Sequence, residues 1–330
     1  MKKTIYVFNS GEFKRKDNTI YFESEKDRKY LPIEDINEIL IFGEVTLNKR
    51  FLEFMTQKEI ILHFFNNYGY YTGSYYPREH LNSGYMILKQ AEFYLDESKR
   101  ITLARAFVRG AALNILNVLK YYNNRGKELN EEMEKIDRLI GLLDGCTTVE
   151  ELMAIEGNIR DVYYEAFNTI IDNPEFYFEG RSRRPPRDRI NALISFGNTL
   201  AYTTVLSEIY KTHLDPRIGY LHTTNFRKFT LNLDIAEIFK PILVDRLIFA
   251  LIGRNMLKAS YFEAKTDSIL LNEKGRRVFI QGWEEKLQTT IKHRELGREV
   301  SYRRIIRMEL YKLEKHLIGE KEYEPFVSRW

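Results

Sequence analysis

In the first seventy-five residues, short runs of branched and aromatic residues alternate with polar breaks. TIYVF, NTIYFE, EILIFG and IILHFF read as strands, because such side chains suit a pleated, half-buried surface. Asn-Ser-Gly at 9–11 and Asn-Asn-Tyr-Gly at 66–69 read as turns, and one short helix fits residues 48–57. Past Pro77 the period changes. Apolar residues recur every three or four positions over 80–99 and again over 101–122, where Leu103, Phe107, Ala111 and Ile115 form one stripe. Asn-Asn-Arg-Gly at 123–126 closes that stripe, and a more charged helix follows to Leu143.

Thr147, with Glu150 three residues on, predicts a capping box that opens a helix running to Ile171, before Pro174. Another long helix is expected from the arginine-rich loop at 181–189 through Tyr210. From Leu214 the pattern predicts a turn, then a helix beginning near Leu233 and kinked at Pro241. Residues 268–280 read as a small hairpin, and 301–317 as a helix with Ile306, Leu310, Leu313 and Leu317 on one side. The expected fold class is α+β: a small β-rich domain over 1–77, then a larger all-α domain over 78–330.

Length supports the two-domain reading, since 330 residues exceed one average domain. A chain of this size buries about three-quarters of its unfolded surface and needs no covalent staple. The single cysteine, Cys146, excludes an internal disulfide and an all-cysteine zinc site. The apolar run near the N-terminus is too short for a signal peptide, and no stretch approaches the roughly 18 uncharged apolar residues of a membrane span. A soluble, cytoplasmic protein with no membrane partner is expected. No Gly-rich phosphate loop of the Walker type is present, so ATP use is not expected.

Charge narrows the picture further. The net charge is +4, and the window RSRRPPRDR at 181–189 holds five arginines against one acid. The rest of the chain is therefore neutral. Arg181, Arg183, Arg184, Arg187 and Arg189 around Pro185-Pro186 point to an anion site, because guanidinium groups suit bidentate phosphate contacts. A solvated loop is the plainer alternative.

The candidate chemistry lies in LDPRIGYLHTTNFRKFTLNLDIAEIFKPILVD, residues 214–245. Asp234 and Glu237 are three apart, so on a helix they leave the same face, within apolar surroundings. Most acid pairs are simply solvated; here a divalent cation between them, with His222 completing the shell, accounts for the apolar setting. A third acid, Glu156, stands beside Gly157 in the interior of a predicted helix. Glycine there costs about 1 kcal/mol, which predicts a close backbone approach, and Arg160 one turn on can hold the carboxylate or an anion. Glu156, His222, Glu237 and Asp234 form an oxygen-and-nitrogen donor set suited to Mg²⁺ or Mn²⁺, with histidine favouring Mn²⁺. A cation beside an arginine loop is what phosphoryl chemistry requires.

At IEGNIRDVYYEAF, RSRRPPRDRINALISFGNTLAY, LDPRIGYLH and LDIAEIFKPILVDR, in that order and spacing, the chain resembles the universal CRISPR-associated integrase family, the metal-dependent DNA endonuclease of spacer acquisition. The resemblance covers nearly the whole chain and implies a β-rich N-terminal and helical C-terminal layout. It places the family's catalytic glutamate on Glu156, its histidine on His222 and its acidic ligand on Glu237, where some members carry aspartate. Asp234 matches a further acid of the pattern. It also implies a homodimer built partly through the β domain, a smaller adaptation partner protein, and double-stranded DNA as substrate. In the implied reaction a 3′-hydroxyl attacks a phosphodiester of the repeat array; water at the same site gives nuclease activity.

Two rivals remain in view. Twenty-two tyrosines invite a tyrosine-recombinase reading, but the His-x-x-Arg pair of that chemistry is absent after both His222 and His293. A non-catalytic nucleic-acid binder using the arginine loop explains the charge and leaves the acids unexplained. His63 reads as a satisfied sheet histidine, His80 and His213 as residues at element ends, and Cys146 as a turn residue without a basic partner. Arg303, Arg304 and Arg307 either extend a DNA surface or line a solvated helix face.

Overall fold

The structure, a computed structural model, describes residues 2–25, 27–78, 81, 83–183, 185–224, 229–293 and 296–329. Two compact units divide the chain, Met1–His80 and Leu81–Trp330.

Among the described residues the first unit holds eight strands and a helix. In chain order these are β1 (Lys3–Val7), β2 (Gly11–Lys16), β3 (Thr19–Glu23), β4 (Arg28–Leu31), β5 (Ile36–Ile41), β6 (Val45–Thr46), α1 (Lys49–Gln57), β7 (Ile61–Phe65) and β8 (Tyr71–Tyr75). One sheet has the order β1-β5-β7-β8, with β1, β5 and β7 parallel and β8 antiparallel. The other runs β4-β3-β2-β6. The four sequence-predicted strands are β1, β3, β5 and β7. The other four were not visible as hydrophobic runs, because few of their residues reach the core. In GEFKRK of β2 only Phe13 is buried, stacked on Phe51 of α1 at 5.1 Å. Its outward Lys14 pairs with Glu23 across the ladder. Asn48 caps α1 by accepting from the Phe51 N–H, as the predicted 48–57 helix requires. His63 is buried with Nδ1 on Ser74 Oγ at 2.6 Å, a satisfied sheet histidine.

The second unit is mostly helical: α2 (Gly84–Leu95), α3 (Glu97–Asn123), α4 (Asn130–Leu142), α5 (Val149–Ile171), α6 (Arg189–Ile209), α7 (Leu231–Lys240), α8 (Arg246–Gly253), α9 (Glu273–Gln288) and α10 (Tyr302–Leu317). It is not all-α, because β9 (Phe262–Lys265) pairs with β10 (Ser268–Leu271) and β11 (Thr290–Lys292) with β12 (Glu299–Ser301). Helix α7 packs between α3 and α6 and is buried along almost its whole length. Helix α3 is long and apolar enough for a membrane span by composition, yet 61% of its apolar window is buried inside this unit, as in a core helix.

Several boundaries differ from expectation for local reasons. The break between α2 and α3 falls at Asp96, whose side chain accepts from the Lys99 N–H and starts the second helix. The capping box is Thr148 with Glu151, one residue later than Thr147 with Glu150. The hairpin spans 262–271 rather than 268–280, because Asn272 accepts from the Gly275 N–H and turns the following segment into α9. Pro241 does not end the helical run. It opens one π-helical turn, Pro241–Asp245, that leads straight into α8.

Candidate active site

The site is built from the middle of α5, the segment before α7, and α7 with its π turn. Asp234 and Glu237 leave α7 three residues apart, yet their carboxylates take different partners. Asp234 turns back to the preceding loop. Its Oδ2 accepts from the N–H groups of Tyr220 (2.6 Å) and Leu221 (3.0 Å), and its Oδ1 from the His222 N–H (3.0 Å). The His222 Nδ1 lies 2.7 Å from that same Oδ1. A carboxylate offers about four acceptor positions, and all four are engaged inside a fully buried side chain. Asp234 is therefore spent on shaping the loop, which removes the observation behind its reading as a direct metal ligand.

Gly219 permits this geometry. A β-carbon there would lie 2.8 Å from Asp234 Oδ2 and 2.7 Å from the Thr230 carbonyl carbon. Buried Gln90 and half-buried Arg100 hold the loop from behind: Gln90 Oε1 accepts from the Asp215 N–H, and Arg100 donates to the Tyr220 carbonyl. With Nδ1 held by Asp234, the Nε2 of His222 carries the available lone pair, on a side chain that is 31% exposed. Burial works against the imidazolium, but the Asp234 hydrogen bond and charge, with Glu237 and Glu156, raise its pKa above the ordinary value.

Glu156 and Glu237 meet on one guanidinium. Arg160 Nε donates to Glu156 Oε1 at 3.2 Å, and Nη2 to Glu237 Oε2 at 2.6 Å. Lys240 holds the second Glu237 oxygen at 2.5 Å and reaches Tyr202 Oη at 3.3 Å. Pro241 has no N–H to offer the Glu237 carbonyl, and Arg160 Nη2 lies 3.5 Å from that oxygen. Burial raises the Glu237 pKa, but Lys240 and Arg160 overcome it and hold the carboxyl at about 2.

Asp245, on the π turn, has the opposite balance. Its Oδ2 lies 3.9 Å from Arg160 Nη1, beyond hydrogen-bond range, and burial pushes the carboxyl up to about 6. A carboxyl that binds its proton more tightly when folded adds stability below the unfolded value of 3.8 and loses it as pH rises through about 6. Asp245→Asn is accordingly expected to stabilise the protein at pH 7.5, by up to about 3 kcal/mol, with no gain below about pH 4. Urea melts at both pH values check this; an equal shift at both would contradict it.

The donor chemistry of Glu156, Glu237 and His222 Nε2 fits an oxygen-preferring divalent cation, and the Asp234–His222 pairing is how such histidines are oriented. Among the described residues, however, no three His, Cys, Asp or Glu side chains stand at shared-ion spacing. Arg160 and Lys240 neutralise Glu237. Local spacing did not reveal Lys240, Tyr202 or Asp245; the i+3 step from Glu237 to Lys240 was the one available signal.

The arginine loop splits into separate roles. Arg181 turns inward to Asn191 Oδ1 at 2.6 Å and lies within electrostatic reach of Tyr164 and Tyr202. Arg183 and Arg187 are exposed, whereas Arg189 donates to the Glu175 carbonyl. Arg184 and His80 lie outside the described residues. Gly157 does not admit a neighbouring backbone: a β-carbon there would meet nothing within 4 Å, and the close approach occurs at Gly219 instead. Arg303 and Arg307 converge on buried Glu208, so they brace α6 against α10, and only Arg304 of that trio is exposed. His213 pairs with Glu314, and Cys146 is buried with its thiol raised by that burial.

Comparison with known proteins adds a further layer. Residues 5–285 match the family described as CRISPR associated protein Cas1. A relative named CRISPR-associated endonuclease Cas1 2, from Thermodesulfovibrio yellowstonii, is 62% identical over 330 residues, which is all of both chains. The solved structure of a Cas1 protein from Thermotoga maritima superposes with a TM-score of 0.89 at 48% identity, covering 99% of this chain and 100% of that one. A casposase bound to integration product also reaches 0.89, at 20% identity, over 99% of this chain and 94% of that one. At that identity the likeness is one of fold.

Proposed function

This chain belongs to the CRISPR-associated protein Cas1 family, and from that premise we propose that it is a metal-dependent DNA endonuclease and integrase of CRISPR adaptation. The observation that carries the reading is the convergence of Glu156 and Glu237 on one buried guanidinium, beside a histidine whose Nδ1 is held by a carboxylate. Two stretches far apart in sequence, α5 and residues 222–237, meet there.

Glu156, Glu237 and His222 Nε2 are the residues that would hold Mg²⁺ or Mn²⁺. Such a cation polarises a phosphoryl oxygen and offsets charge developing on the phosphorus group. The chain's own cations do the rest. Arg181, within electrostatic reach of Tyr164 and Tyr202, and the exposed Arg183 and Arg187 are the cations that would draw a phosphodiester. Asp234 keeps the His222 ring in one orientation and one tautomer. In strand transfer a DNA 3′-hydroxyl forms a new bond to phosphorus while the existing bridging P–O bond breaks and leaves a 3′-hydroxyl on the repeat. Water in place of the hydroxyl gives hydrolysis.

The same reading makes the protein a homodimer, joined partly through the β unit, that works with a smaller adaptation partner on double-stranded DNA in the cytoplasm. The test is a half-site integration assay on a repeat-containing plasmid, with and without that partner and with Mn²⁺ or Mg²⁺. Strand transfer is expected to stop in excess chelator; transfer that persists there excludes the metal site.

Exposed Arg183 and Arg187 lead to a separate expectation. Replacing both with alanine should weaken duplex binding uniformly across sequences and flatten log K against log salt by about one to two units. An unchanged slope in a fluorescence-anisotropy titration moves the phosphate contacts elsewhere.

A further inference from the structure

We propose that the C-terminal segment 323–328 fixes the position of α7, with Asn114 of α3 as the positioning residue that ties the two together. The inference rests on the reading of Glu237 as a site residue.

Asn114 is fully buried and sits between them. Its Nδ2 donates to the Ile238 carbonyl and to the Phe326 carbonyl, each at 2.9 Å, and its Oδ1 accepts from the Ser328 N–H at 2.8 Å. Both amide hydrogens are used, so the group has no freedom to turn. The contact on α7 falls next to Glu237, where the helix passes to π spacing and Pro241 has already removed one backbone donor. A helix weakened at that point relies on bonds from outside itself.

The segment is anchored on its other side as well. Buried Glu309 of α10 accepts from the Phe326 N–H at 3.0 Å and from Tyr323 Oη at 2.5 Å. Asn117 donates to the Ser328 carbonyl at 2.6 Å. Phe326 stacks on Phe239 of α7, with centroids 5.6 Å apart. Gly110 makes the fit possible, since a β-carbon there would lie 2.5 Å from Pro325 Cβ. Apolar packing alone allows sliding, whereas a satisfied buried amide selects one register. None of these groups carries the chemistry, so their effect on it is positional.

The experiment compares the full chain, a chain ending at Glu322, Asn114→Leu, and the two changes combined. Duplex affinity is expected to stay within about threefold while turnover falls at least about tenfold, because a small misplacement of reacting groups costs rate rather than binding. The combined variant should be no slower than the worse single one, the non-additivity of one shared connection. A peptide of residues 320–330 added to the shortened chain should restore turnover, and the same peptide with Phe326→Ala should not. Hydrogen exchange supplies a readout independent of activity: amides of 231–240 should exchange at least about tenfold faster, with those of α4 unchanged.

Unchanged turnover and exchange in Asn114→Leu, or strictly additive losses, would overturn the proposal, and that variant decides the matter if the shortened chain does not fold. Glu237→Gln in the intact chain is the control. If it retains cleavage, the assignment of the active site fails, and the exchange measurement alone judges the C-terminal segment.

Discussion

Glu156→Gln is expected to reduce DNA cleavage and strand transfer by about a thousandfold or more, the scale seen when a member of a catalytic set is removed, while duplex affinity stays within about twofold. The side chain is only partly buried and contributes a single contact to Arg160, so its loss changes little in the fold. Glutamine keeps the shape and the hydrogen-bond acceptor but loses the charge a cation needs. Glu237→Gln should act on the rate in the same direction, with a larger cost in stability, because Glu237 balances both Arg160 and Lys240. A non-catalytic DNA binder predicts a different result: no metal-dependent cleavage in either protein, and equal affinity. Gel assays with matched anisotropy titrations separate the two, and a Glu156→Gln protein that still cleaves at the native rate would end the active-site reading.

The second large effect is on stability. Arg160→Met is expected to cost about 3–5 kcal/mol, the penalty for stranding buried charges. Arg160 is buried and serves three acids: Glu156 and Glu237 by hydrogen bonds, and Asp245 at 3.9 Å. Without it Glu237 keeps only Lys240, and Asp245 keeps no cation within salt-bridge distance among the described residues. A unit of this size should melt roughly 10 °C lower. Adding Asp245→Asn should recover part of the loss, since the stranded carboxylate is then neutral, and a double-mutant cycle on urea midpoints measures that coupling. The ion pairs also set the acid limb. The Glu237 pKa is held near 2 against an ordinary value of 4.5, so its stabilisation is complete above about pH 4.5 and fades as pH falls through about 2. A loss under about 1 kcal/mol in Arg160→Met would show that the cluster is better solvated than its burial implies.

Much of the architecture follows from local pattern. The alternation of TIYVF and its counterparts gave the strands whose side chains reach a core, and the stripe through Leu103, Phe107, Ala111 and Ile115 gave α3, where all four are buried. Strands β2 and β8 escaped because pairing partners, not apolar content, make them strands. The capping-box error was one residue wide, since Thr147 and Thr148 both precede a glutamate at the right distance. Only the folded chain shows that Glu151 Oε2 accepts from both their N–H groups while its own N–H bonds Thr148 Oγ1.

The candidate site divides in the same way. Residue type and spacing by themselves determined that this chain has a β-rich start, a helical remainder and one arginine-dense loop, and they singled out Glu156, His222, Asp234 and Glu237 as candidate chemistry. Tertiary structure decided the contacts: it gave Asp234 to the loop, Arg160 and Lys240 to Glu237, Arg181 to Asn191, and Asn114 to the C-terminal segment. The reason is physical. Periodicity records which face of one element avoids water, whereas the partner of a buried charge or amide is chosen by whichever segment the fold brings within 3 Å or so, and in this chain that segment is often more than seventy residues away.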